Sequence, residues 1–191
     1  MKRILLVVSL CALITQLHAT PAAAAEAHHA RGSLGFHDLS APIGMRYWMS
    51  GEKVGFDLGL GFNSEASNID ANEKVMGYAF DLGVPLVMHS WDNAHLLFRP
   101  GLLYQSQQVG FDADPGAGFT FDTENQTTMS IMAELEAEVF LRDNFSVSAS
   151  HGIAFRSFDP GFGADSETSF GTFGNNFTNV GFHVYFFGGE R

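Results

Sequence analysis

Cysteine is nearly absent from this chain: its 191 residues include one, Cys11, which falls inside the first apolar run. A lone thiol closes no intrachain disulfide, so a disulfide scaffold and paired-cysteine metal or redox chemistry are excluded. Charge is scarce as well. Only 16% of residues are Asp, Glu, Lys or Arg, which is thin cover for a water-soluble domain of this size. Positive charge is the scarcer sign, with 10 Lys and Arg against 21 Asp and Glu and a formal net charge of −11. A surface of that sign repels polyanions, so nucleic acid is excluded as a partner. After the N-terminus no apolar run approaches the roughly 20 residues that a membrane-crossing helix needs.

The N-terminus has the organisation of a secretory signal. Lys2 and Arg3 precede an apolar run from Ile4 to Leu17, and "ATPAAAA" then offers Ala-x-Ala cleavage sites around Ala23 to Ala25. A lipoprotein signal would carry a small residue before its cysteine, whereas Leu10 precedes Cys11. The expected organisation is a signal peptide over 1–25, a short tail over 26–31 that holds His28 and His29, and one domain over 32–188. The mature chain is then expected to carry no cysteine.

What the chain has in quantity is Phe (19) and Gly (21), and the two alternate. In "KVGFDLGLGF" (Lys53 to Phe62), Phe56, Leu58, Leu60 and Phe62 interleave with Gly55, Asp57, Gly59 and Gly61. Period two is the signature of a strand, whose successive side chains point to opposite faces. One face is apolar. The other holds almost no side chain, so something crowded and polar is expected against it. The same alternation runs through Val75 to Met88, Met129 to Leu141, Phe145 to Phe158 and Asn179 to Phe187. Extending it predicts eight strands, near residues 32–37, 43–50, 53–62, 75–90, 95–111, 127–141, 145–158 and 172–187. Pro85 and Pro100 fall within two of them, and each removes a ladder donor, so a local irregularity is expected near Trp91.

The links between strands come in two lengths. "SGE" (Ser50 to Glu52), "SWDNA" (Ser90 to Ala94) and "RDN" (Arg142 to Asn144) are tight; Asn63 to Lys74, Asp112 to Gln126 and Asp159 to Gly171 are long and rich in Gly, Asp, Ser and Asn. Short and long alternate. In an antiparallel meander this gathers the tight turns and both termini at one end and the long loops, with most of the negative charge, at the other.

A secretory signal, eight antiparallel strands, alternating link lengths and a last strand "GFHVYFF" rich in aromatics resemble the small bacterial outer-membrane β-barrel family that includes the OmpA-type transmembrane domain. The resemblance spans about residues 31 to 188. It implies an all-β, eight-stranded antiparallel up-and-down transmembrane β-barrel in the Gram-negative outer membrane. The implied partners are outer-membrane lipid and lipopolysaccharide, with the barrel-assembly machinery during biogenesis, and the implied state is a monomer. The "GGER" after Phe187 departs from the family's usual aromatic C-terminus. The physical reasoning agrees, because strands in hydrocarbon must satisfy every backbone polar group and only closure leaves no edge.

Eight strands enclose an interior that side chains fill. Parity assigns Arg46, Asp57, Asp81, Arg99, Glu134, Glu136, Glu138 and Arg156 to the inner face, with His183 close by in type. Buried charges need partners, so these residues are expected to form a lumen charge network of arginine–carboxylate pairs. Acid/base work by the stacked glutamates and catalysis by His151 with Ser148 or Ser150 are the sharper readings of the same residues. Structural ion pairing is the expectation, with no enzyme activity, no cofactor and no metal. Parity gives His151 to the lipid face unless a bulge at Gly152 turns it inward. "DADPG" (Asp112 to Gly116) lacks the full ligand spacing of a calcium loop. Tyr47, Trp48, Trp91, Tyr104 and Tyr185 lie near strand ends and are expected in interfacial girdles, with ordinary core packing as the competing reading. The expected role is envelope structure or surface contact through acidic extracellular loops. Two alternatives stay open: a small pore for ions or solutes, and a soluble secreted barrel with its apolar faces turned inward on a lipophilic ligand.

Overall fold

A computed structural model describes residues 32–36, 40–49, 51–67, 73–112, 121–172 and 178–187. The expected signal peptide and tail lie outside the described residues, as do Asp114 to Gly116 of the "DADPG" loop. Among the described residues the chain is all-β. Its segments are β1 (Gly32–Phe36), β2 (Ile43–Trp48), β3 (Gly55–Ala66), β4 (Lys74–Gly83), β5 (Leu86–Trp91), β6 (Ala94–Asp112), β7 (Phe121–Arg142), β8 (Phe145–Asp159), β9 (Glu167–Gly171) and β10 (Thr178–Phe187). Every pairing is antiparallel. β10 pairs with both β8 and β1, which closes the sheet into a barrel. β4 and β5 both pair with β6, and β9 and β10 both pair with β8, so ten segments make eight staves.

The apolar alternation resolves into outside and inside as the pleat requires. Met45, Phe56, Leu60, Phe80, Ile131, Phe155 and Phe182 are exposed on the outer wall, and Arg46, Asp57, Asp81, Glu134 and His183 are buried within. A barrel holding a lipophilic ligand on inward-turned Phe and Leu faces is therefore overturned. The pleat carries the polar side inward, and the apolar side remains outside.

The proline irregularity is where the ladder can bear it. Pro100 sits in an unbroken β6, and its carbonyl accepts the Val84 N–H at 3.0 Å. The N–H and C=O of one strand residue point to the same neighbour, so the donor missing from Pro100 faces the break between β4 and β5. That break falls at Val84 and Pro85, and the register slips again between Val87 and His89. Backbone bonds from Gly55 to Pro85 and from Val87 to Lys53 tie β5 to the chain entering β3.

Three strand limits differ most from expectation. β3 ends at Ala66 rather than near 62 and β7 begins at Phe121 rather than near 127, both well past the apolar band, while β6 follows its expected span; Ala66 pairs with Lys74, and Asp112 with Phe121. Beyond that band both faces of the ribbon are polar, so the period-two signal vanishes while the backbone ladder continues. The last stave begins earlier than residue 172. β9 pairs with residues 154–158 of β8 and β10 with residues 145–151, so only Gly152 and Ile153 of β8 lie between the two pairings.

Candidate functional site

The interior is built in layers, and register sets each one. Arg46 on β2 stands opposite Asp57 on β3, and Arg99 on β6 opposite Glu134 on β7. The Arg46 guanidinium donates from Nε and Nη2 to the two oxygens of Asp57 at 2.8 and 2.9 Å. Its Nη2 also reaches Glu136 at 2.9 Å and its Nη1 reaches Glu138 at 3.1 Å. Arg99 donates to Asp57 at 2.8 Å, Asp81 at 2.5 Å and Glu134 at 3.0 Å. Asp57 thus joins the two guanidinium groups, and the planar fork of each arginine sets the geometry.

Two guanidinium groups face five carboxyl groups, and neutral donors reach two of these carboxyl groups as well. Ser146 and Tyr185 hydroxyls donate to Oε1 of Glu138 at 2.6 and 2.7 Å, and Asn179 donates to Oε1 of Glu134 at 3.0 Å. Nδ1 of His183 lies 3.8 Å from Glu138. Eight of the nine residues expected in the network are buried together. Arg156 is the exception: it shares the inner face but is only half-buried, opposite Ser130 and four residues along β7 from Glu134. Its parity was legible; its height in the barrel was not.

The near-empty face of β3 has a neighbour at each glycine. The Trp48 and Pro85 side chains lie where a Cβ on Gly55 would project, at 2.9 Å. Gly59 faces Ala41, and Gly61 faces the Ser40 carbonyl. Ser40 and Ala41, just before β2, therefore tuck into the mouth, and Ala41 is fully buried there. On β4, the Arg99 guanidinium occupies the space beside Gly83. The crowding expected from the sequence is arginine, tryptophan and the folded-in Ser40 and Ala41.

Below the network, at the tight-turn end, Trp48, Leu97, Phe140 and Tyr185 form an internal apolar cluster. His95 stands edge-on to Trp48 and to Phe140, and the Trp48 indole N–H donates to the Tyr185 hydroxyl at 3.3 Å. Trp48 and Tyr185 consequently do not belong to an outer girdle. Each shares the parity of a lumen residue two positions away, Arg46 and His183. Tyr47 and Trp91 are exposed on the outside as expected. Above the network Leu103, Met132 and Ala154 make a second apolar layer.

His151 and its serines separate. Ser148 and Ser150 are buried inside, whereas His151 is exposed outside, with its Nδ1 2.7 Å from the Thr178 hydroxyl. Gly152 stays in register with Glu134, so no bulge turns the imidazole inward. Among the described residues no group of three or more His, Cys, Asp or Glu is arranged to hold a metal ion.

Sequence reasoning missed the upper interior. Asn63, Gln105, Gln107, Gln126, Thr128 and Phe158 line a cavity of about 390 Å³ at the loop end. The signal was there in part, because each continues the inner parity of its strand beyond the apolar band. No family model, curated protein or solved structure matches this chain.

Proposed function

We propose that this chain is a non-enzymatic integral outer-membrane β-barrel protein, akin to the OmpA-type barrels of Gram-negative bacteria, exported by its N-terminal signal. Its role is envelope structure or surface contact. The observation that carries the reading is the outer wall, where apolar side chains are exposed around the barrel while the charge is enclosed. Between Met129 and Leu141 of β7 the outward residues are Met, Ile, Ala, Leu, Ala, Val and Leu. At about 3.4 Å per residue and a tilt of about 40°, that stretch rises about 30 Å, the thickness of a bilayer's hydrocarbon core. Water would hydrate such a wall at a large free-energy cost, since each Å² of apolar surface left in water forgoes about 25 cal/mol.

The other assignments follow from that wall. Lipid and lipopolysaccharide cover the belt, and the assembly machinery delivers the barrel, which then stands as a monomer. The acidic end, with exposed Glu65, Glu73, Asp122, Glu124, Asp159, Asp165 and Glu167, faces outside the cell. The test combines cell fractionation with gel migration of unheated and boiled samples. Recovery with outer membranes and a heat-dependent mobility shift are expected. Recovery in the detergent-free soluble fraction overturns the proposal.

A further inference from the structure

The cavity at the loop end is a built concavity with its own chemistry. Its volume of about 390 Å³ lies within the range of about 300–1,000 Å³ usual for small-molecule sites. The apolar layer of Leu103, Met132 and Ala154 lies deeper along the same staves, between the cavity and the charge network. One wall is formed by Ser40 and Pro42; the others carry Asn63, Gln105, Gln107, Gln126, Thr128 and Phe158. Among these lining residues there is no charged side chain.

We propose that this cavity binds a neutral saccharide. Each amide supplies a carbonyl acceptor and two N–H donors, and each hydroxyl both donates and accepts. Sugar hydroxyl groups need that mixture of donors and acceptors. The amides are partly oriented in advance: Nδ2 of Asn63 donates to Oε1 of Gln107 at 3.2 Å, and Nε2 of Gln107 donates to the Gln108 carbonyl at 3.3 Å. Orientation in the free protein lowers the ordering cost on binding. Phe158 adds a flat apolar surface for the C–H face of a pyranose ring.

Electrostatics narrow the ligand class further. The rim carries exposed Glu65, Asp122, Glu124 and Asp159, five carboxyl groups against two arginines lie deeper in the barrel, and half-buried Arg156 on the inner face of β8 offsets only one of these negative charges. That field repels anionic sugars and phosphates. It attracts cations, but a cation that sheds its water in the cavity meets only neutral groups, and an unpaired desolvated charge is costly. The site exists in the folded barrel whether or not lipid surrounds it, so the inference extends beyond membrane insertion.

The test is ligand-observed saturation-transfer NMR on the purified, folded full-length barrel. The probes are neutral hexoses, pentoses, their methyl glycosides and disaccharides, beside glucose 6-phosphate and putrescine. The expected result is saturable one-to-one binding of at least one neutral sugar, weakened at least tenfold by Gln107→Leu and by the cavity-filling Thr128→Phe. Heat-shifted gel migration of each variant separates loss of the site from loss of the fold, and Gln105→Leu serves in place of a variant that fails to fold. The proposal is overturned if no neutral sugar binds to protein with the folded mobility, if binding survives the substitutions, or if only putrescine or the phosphate binds.

Discussion

Arg46 shows why single residues matter so much inside a narrow barrel. It is fully buried and touches Asp57, Glu136 and Glu138. Arg46→Met leaves these carboxyl groups without their guanidinium, and breaking a buried ion pair on one side costs about 3–5 kcal/mol. Equilibrium urea unfolding in phospholipid vesicles is expected to show a loss of that size. Arg46→Lys keeps the charge but not the fork that engages both oxygens of Asp57, so an intermediate loss is expected. Equal stability of Arg46→Met and the native protein would show that the network contributes nothing. The glycines obey the same crowding: Gly83 is small because Arg99 lies against it, and Gly61 because the Ser40 carbonyl does. Neighbours like these are remote in the chain, so the sequence shows that room is needed without showing for what.

At the scale of the strand, β7 offers the clearest contrast between depth and periphery. Leu135 and Leu141 share its outer face and are similarly exposed, at 57% and 59%. They differ in height, because Leu135 sits midway along the apolar stretch and Leu141 adjoins the tight turn. In hydrocarbon Leu135→Arg is expected to destabilise by about 2–4 kcal/mol and Leu141→Arg by about 0–1. The same vesicle titration measures both, and equal effects would mean that no bilayer surrounds the wall. The proline pair also belongs here. Pro85 and Pro100 were legible as an interruption, yet only the pairing shows that one proline's missing donor faces the gap left by the other. Strand ends were the least legible feature. β7 starts at Phe121 because a backbone ladder needs no apolar side chains, whereas the alternating pattern needs them.

For the whole molecule, the layering of the interior bears on transport. The Trp48–Leu97–Phe140–Tyr185 cluster, the two-arginine network and the Leu103–Met132–Ala154 layer succeed one another along the axis. Water and ions passing through would have to part all three. Planar-bilayer recordings of the purified barrel are expected to show no steady conductance. A stable ohmic current would favour the small-pore alternative. The lower cluster also explains the aromatic residues that were expected outside. Trp48 and Tyr185 fill the tight-turn end of the lumen, where the indole N–H and the phenol hydroxyl bond to each other. A strand-end aromatic serves a girdle or a plug according to its parity alone.

The sequence by itself determined the strand alternation, the order of short and long links, and the segregation of charge to one face, because each follows from the two-residue pleat and from turn chemistry. It also determined which arginines and carboxylates share an interior. Tertiary structure alone decided how they are matched, since Arg46 and Glu138 are 92 residues apart and meet only when the sheet closes. It alone decided that Ser40 and Ala41 fold inward over Gly59 and Gly61, and that amides from three staves converge on one cavity. Register and closure bring those groups together, and neither is written in any local run of residues.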